Sequence, residues 1–137
     1  MLDIKFIREN TEAVRKNLLN RHNDFDLDEV LQLDEKRREL LKQTESLKSK
    51  RNAESKNIAI AKKKGEDASA AITAMREVGD EISRIDKELD QIETKQKDLL
   101  LRIPNMTDQS VPIGKDDTEN PEVRKWGEIP VFDFPVK

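Results

Sequence analysis

A set of cations spaced along one stretch of chain is the only arrangement of side chains here whose chemistry points outward. Leu33, Leu40 and Leu47 recur every seven residues. Two places further along that register stand Glu35, Lys42, Ser49, Lys56 and Lys63; three places further stand Lys36, Gln43, Lys50, Asn57 and Lys64. On a helix these two neighbouring rows form a lysine-rich strip turned away from the leucines. Lysine, arginine, asparagine, glutamine and serine all bond phosphate or sugar oxygens, and such contacts position a polyanion without reading its sequence. The candidate binding residues are Lys42, Lys50, Arg51, Lys56, Asn57, Lys63 and Lys64. Arg51 falls near the leucine seam, where an ion pair between helices competes with a role in binding. Lys62 to Lys64 also suit the negative end of a helix dipole and keep a tip soluble.

Charge balance sharpens the same point. Residues 36 to 64 hold eleven bases against three acids, about +8. Residues 66 to 98 hold ten acids against five bases, about −5. The net charge of −3 hides this asymmetry. Opposite helices attract one another, and charge runs are commonly solvated faces; the sharper reading is that one face meets a polyanion. With four Phe, one Trp and no Tyr, stacking on single-stranded bases is not favoured. Recognition of a duplex by its shape and backbone fits better.

Catalytic constellations do not emerge. The four glycines are scattered, which excludes a P-loop or dinucleotide fingerprint. His22 sits in the polar turn Arg21-His22-Asn23-Asp24 and reads as a surface residue. Asp116-Asp117 read as loop charges, with no nucleophile or water-excluding pocket beside them. Zero cysteines exclude disulfides, thiol catalysis and zinc-thiolate sites. No metal site or cofactor is expected in the chain. With no long apolar run and no signal core, a soluble cytoplasmic protein without membrane contact is the default.

At 40% charged and 34% hydrophobic residues, the 137-residue chain cannot fill a thick core. A two-helix seam needs far less, and its period argues against disorder. The expected fold is all-α: a long antiparallel two-helix coiled-coil hairpin with short N-terminal helices at its base, followed by an extended linker. Asp3 is placed to cap a helix holding Ile4, Phe6 and Ile7, and Asn10 a helix holding Ala13, Val14, Leu18 and Leu19. Asp26 and Glu29 resemble a capping box opening the arm. The arm spans about residues 27–103 with its tip near 62–67, and Gly65 is the left-handed terminator. The first arm helix has mixed partner positions (Val30, Arg37, Thr44, Arg51, Ile58), so its seam is weak from Thr44 to Ala61. The second is cleaner: Met75, Ile82, Leu89, Gln96 and Ile103 form one row, Val78, Ile85, Ile92 and Leu99 the other. Gly79 beside that seam allows a close approach or is merely tolerated. Each helix is about 50 Å long. A hinged arm follows, with faster amide exchange between Asn52 and Ala74 than between Ile82 and Leu99.

Pro104 ends the second helix, and all five prolines lie from there onward. Residues 1–104 read as the arm domain, and 105–137 as a linker and the first residues of a further domain. Val123 to Trp126 and Ile129 to Phe134 are candidate short strands.

The residues carry a resemblance as well. Met1-Leu2-Asp3-Ile4-Lys5-Phe6-Ile7-Arg8-Glu9-Asn10 and Lys50 to Ile58 resemble the N-terminal region of bacterial-type seryl-tRNA synthetases. So do Ile103-Pro104-Asn105-Met106, Val111-Pro112-Ile113-Gly114, Glu119 to Arg124 and Trp126-Gly127. The resemblance runs through the whole chain in order. It implies a coiled-coil arm that binds the long variable arm of serine tRNA, and of selenocysteine tRNA, by shape and backbone. It implies a parent class II enzyme, a homodimer through its catalytic domain, that attaches serine to tRNA using ATP and Mg²⁺. None of the three class II motifs lies in these residues, so the chain by itself is expected to bind tRNA through about five to eight phosphates and not to aminoacylate. The alternative from another class is a protein-interaction or structural coiled coil without nucleic acid. A hairpin that grips unfolded chains wants apolar groups at its tip, and Lys62 to Asp67 offer none.

Overall fold

The computed structural model describes residues 1–128 and 130–134. Among these residues four α-helices follow one another: α1 (Ile4–Glu9), α2 (Thr11–Asn20), α3 (Leu27–Lys63) and α4 (Ser69–Arg102), with a single 3₁₀ turn at Asp117–Glu119. α3 and α4 pack against each other as an antiparallel hairpin, and at 1.5 Å per residue they are about 55 and 50 Å long. The described residues contain no strand. The strand expected at Val123–Trp126 is therefore absent: Val123 and Trp126 are 93% and 87% exposed, and no strand exists among the described residues for them to pair with. Of the second candidate strand, Pro130 to Phe134 is likewise without strand, and Ile129 lies outside the described residues.

Helix starts follow local chemistry, with two departures. Asp3 accepts from the Lys5 amide at 2.7 Å, and Asp26 from the Asp28 amide at 2.9 Å. Asn10 stands at the start of α2, yet its side chain does not cap that helix. Its Nδ2 donates to the Phe6 carbonyl at 3.0 Å and closes α1 instead. Glu29 carries its carboxylate to Lys95 of α4 at 2.7 Å, so the pairing across the arm displaces the reciprocal half of the capping box. Asp67 accepts from the Ser69 amide at 2.9 Å at the entry to α4, and that bond holds its carboxyl below the ordinary range. A lowered carboxyl stabilises the fold at neutral pH and loses that contribution as acidification protonates it.

At the tip, Gly65 has φ +75°, the left-handed conformation that ends α3. Gly79 has nothing within 4 Å of where a Cβ would sit, so α3 makes no close approach there and the glycine is tolerated, not required.

Two apolar clusters hold the molecule. At the base, Ile7, Val14, Leu18, Leu27, Val30, Leu99, Leu100 and Ile103 join the short helices to the roots of the arm. Phe6 and Leu19 of the same short helices stay outside it, 39% and 73% exposed. Higher up, Leu40, Ile85, Leu89 and Ile92 form the seam, with Leu33, Leu41 and Leu47 at its edges. The heptad rows of α4 are buried from Ile82 to Ile103, including Gln96. Beyond Leu47 the seam thins: between Glu45 and Glu81 only Ala68 is buried.

Candidate nucleic-acid interface

The eleven bases between Lys36 and Lys64 divide into two groups. Four are committed to carboxylates. Lys36 meets Glu88 at 2.6 Å, Arg37 meets Glu93 at 2.8 Å and Lys48 meets Asp86 at 3.5 Å, all across the hairpin. Arg38 bonds Asp34 on its own helix at 3.1 Å. The other seven are Lys42, Lys50, Arg51, Lys56, Lys62, Lys63 and Lys64, and none has a carboxylate within 4.0 Å among the described residues. All seven are exposed, as is Asn57.

Position on α3 explains the division. The paired bases lie on the lower half, where α4 presents Asp86, Glu88 and Glu93 across a closed seam. In the outer half α4 carries fewer acids, and the short side chains of Ala53, Ala59, Ala61, Ala70, Ala71 and Ala74 bring no counter-charge. Six of the seven unpaired bases lie there, Lys42 on the lower half being the exception, and an unpaired exposed cation keeps its full field for a ligand.

Lys42, Lys56 and Lys63 fall at spacings of fourteen and seven on one row, with Lys50, Asn57 and Lys64 on the next. From Lys42 to Lys63 the row runs about 30 Å along the helix. Lys42 borders a shallow groove between the helices, with Gln43, Ser46, Leu47, Glu81 and Ile85. Arg51 is separate from both rows: it shares the heptad position of the buried Thr44 and the half-buried Ile58. It is nonetheless exposed, because the seam has already thinned at its level, and it makes no ion pair across the arm. Lys62 was not among the residues singled out by spacing; its missing carboxylate partner is the signal that adds it, and that signal exists only in three dimensions.

His22 is exposed, with φ +50° in the turn after α2. Asp116 caps the 3₁₀ turn by accepting from the Thr118 hydroxyl at 2.5 Å and from the Thr118 amide at 3.0 Å, and these bonds hold its carboxyl below the ordinary range. No group of three or more metal-binding side chains occurs among the described residues, and no described helix is long and apolar enough to cross a membrane.

Fold and charge together define a class: a long helical hairpin, closed at its base and carrying uncompensated positive charge on the outer part of one helix. Residues 1–107 match the family described as the seryl-tRNA synthetase N-terminal domain, and the chain belongs to that family. It is 44% identical over 137 residues to a serine–tRNA ligase of Symbiobacterium thermophilum, an alignment covering 100% of this chain and 32% of that protein. It is 50% identical over 138 residues to a serine–tRNA ligase of Macrococcus caseolyticus, covering 100% and 33%. Among solved structures, a seryl-tRNA synthetase from Pyrococcus horikoshii complexed with ATP matches with a TM-score of 0.81 at 38% identity, over 93% of this chain and 29% of that one. The chain therefore spans about a third of the length of the relatives it matches.

Proposed function

We propose that the hairpin is the tRNA-binding arm of a serine–tRNA ligase, gripping the backbone of the long variable arm of serine tRNA, and of selenocysteine tRNA. The observation that supports this most is the division of the α3 bases: three of the lower ones are spent on α4 and one on Asp34, whereas seven, all but Lys42 on the outer half, have no carboxylate partner among the described residues. A stabilising surface would pair its charges, whereas a binding surface keeps them free. Lysine on a straight helix suits a phosphate row, because each ammonium acts as a point charge and its long stem adapts to backbone shape.

In this reading residues 1–104 are the recognition unit and 105–137 lead into a catalytic part. The whole protein, a cytoplasmic homodimer through that part, joins serine to tRNA using ATP and Mg²⁺. Its ATP chemistry lies outside the hairpin, whose task is to place the tRNA.

Binding of this chain to serine tRNA, at several salt concentrations and beside the same tRNA lacking its variable arm, tests the proposal. Five to eight phosphate contacts predict a slope of log K against log salt of about −4 to −7, and weaker binding once the variable arm is removed. Equal binding to both RNAs would reduce the strip to a nonspecific basic surface.

One observation favours the protein-gripping alternative. Ile60 and Ile72, just below the tip, are 52% and 43% exposed. Two aliphatic side chains amid lysines are a small apolar area for holding an unfolded chain. An Ile60→Ser, Ile72→Ser double variant with unchanged tRNA affinity would set that role apart from RNA binding.

A further inference from the structure

Asn17 is a buried polar residue that the RNA interface does not use. It lies on α2, 4% exposed, between Val14 and Leu18 of the basal core. Its side chain reaches the segment that leaves α4. Its Nδ2 donates to the Asn105 carbonyl at 3.3 Å. Its Oδ1 accepts from the Thr107 backbone amide at 3.0 Å and from the Thr107 hydroxyl at 2.9 Å. One side-chain amide thus pairs with a carbonyl and with the N–H two residues on, as a neighbouring strand would. The Met1 amine donates to the Asn105 side chain at 3.2 Å, and Met106 packs on the basal core. Asn17 and Thr107 both line an open cleft of about 670 Å³ between α2 and the following loop.

We infer that Asn17 is a positioning residue: it fixes the direction in which the chain leaves the arm, and so the heading of the arm relative to whatever follows. Asparagine is specific for this task. It is short, and it presents one donor and one acceptor on the same plane. An aspartate of the same size would set a carboxylate oxygen against the Asn105 carbonyl, with no hydrogen between them. Alanine would release the segment to water. Leverage gives the pairing its consequence: a change of about 10° at the base moves the tip of a 55 Å helix by roughly 10 Å. The use of that heading, delivery of a bound tRNA, rests on the tRNA-binding reading; the pairing itself does not.

The absence of native cysteines allows clean spin labelling of the full chain. Labels at Glu77→Cys on α4 and Gln109→Cys past the pairing should give one narrow distance distribution in the parent. Asn17→Ala should widen it at least about twofold. Thr107→Pro removes the N–H from the other side without touching α2, so it should widen the distribution equally and decides the matter if Asn17→Ala also lowers helicity. Asn17→Asp should be wide at neutral pH and narrow again on acidification, when its protonated oxygen can donate to the Asn105 carbonyl. That rescue would not follow from a loss of packing. A distribution already broad in the parent, or unchanged in both Asn17→Ala and Thr107→Pro, would overturn the inference. Because no readout involves RNA, failure of tRNA binding leaves this result standing, and the converse holds too.

Discussion

The lower and outer halves of the arm are built from the same two helices by different physics. From the base up to Lys48, leucines and isoleucines interlock, and four ion pairs cross between the helices: Glu29–Lys95, Lys36–Glu88, Arg37–Glu93 and Lys48–Asp86. Above it, alanines and half-buried residues face one another, and the lysines look outward. Each exposed ion pair stabilises by only about 0–1 kcal/mol, so the apolar seam carries most of the difference. What the contrast teaches is that a recognition surface on a two-helix arm competes with the arm's own cohesion. Bases that close the hairpin are lost to a partner, and the stretch whose bases are kept for the proposed partner is also the one where the apolar seam is thin.

Amide exchange gives the widest test of that contrast. Protection between Ile82 and Leu99 should exceed protection between Asn52 and Ala74 by at least about tenfold, because local opening of the outer half exposes little apolar surface. Equal protection would mean that helix propensity, not the seam, holds the arm, and the division into halves would fail.

Matched truncations sharpen it. Leu89→Ala empties a buried seam position and should cost about 2–5 kcal/mol in denaturant unfolding. Ile58→Ala, the same kind of deletion on the outer half, should cost less than about 1 kcal/mol, since the side chain is only half-buried. Comparable losses would show the outer seam to be closed in solution.

Asp34 tests the base. It is 2% exposed and accepts from Arg8 of α1 at 2.8 Å and from Arg38 at 3.1 Å. Asp34→Ala should cost about 1–3 kcal/mol, below the loss for a wholly buried pair, because both arginines stay partly hydrated. Melting should report the loss, while tRNA affinity of the folded chain stays the same.

Much of this was legible in the sequence. Two seven-residue rows gave the α4 seam from Ile82 to Ile103, since a hairpin must bury whatever repeats at that period. Gly65 was legible because a helix end needs a left-handed residue. The burial of Asp34 and Asn17 was not, because Arg8 lies 26 residues from Asp34, the partners of Asn17 lie 88 or more residues away, and a lone Asp or Asn within a helix carries no periodic signal. Six of the seven candidate binding residues, all but Arg51, were placed by the two register rows, but which bases remain unpaired depends on where α4 presents its acids. Short strands at Val123–Trp126 were expected from β-branched and aromatic content, which acts only where a neighbouring strand exists.

The smallest effect addresses the hinge directly. Gly79 lies inside α4 near the boundary between the halves, with open space around its missing Cβ. The Ser83 hydroxyl donates to the Gly79 carbonyl at 3.0 Å, a back-bond of the kind that bends helices. Gly79→Ala meets no clash and removes backbone freedom from the unfolded chain, so it should stabilise the arm by about 0.5–1 kcal/mol. If the outer half moves about this point, the gain should appear as slower exchange between Ala74 and Ile82, with protection of Leu89 to Leu99 following only the global change. A gain spread evenly along α4 would place the softness in the alanine-rich seam itself. Looseness would then be a property of the whole outer half, with no single hinge residue.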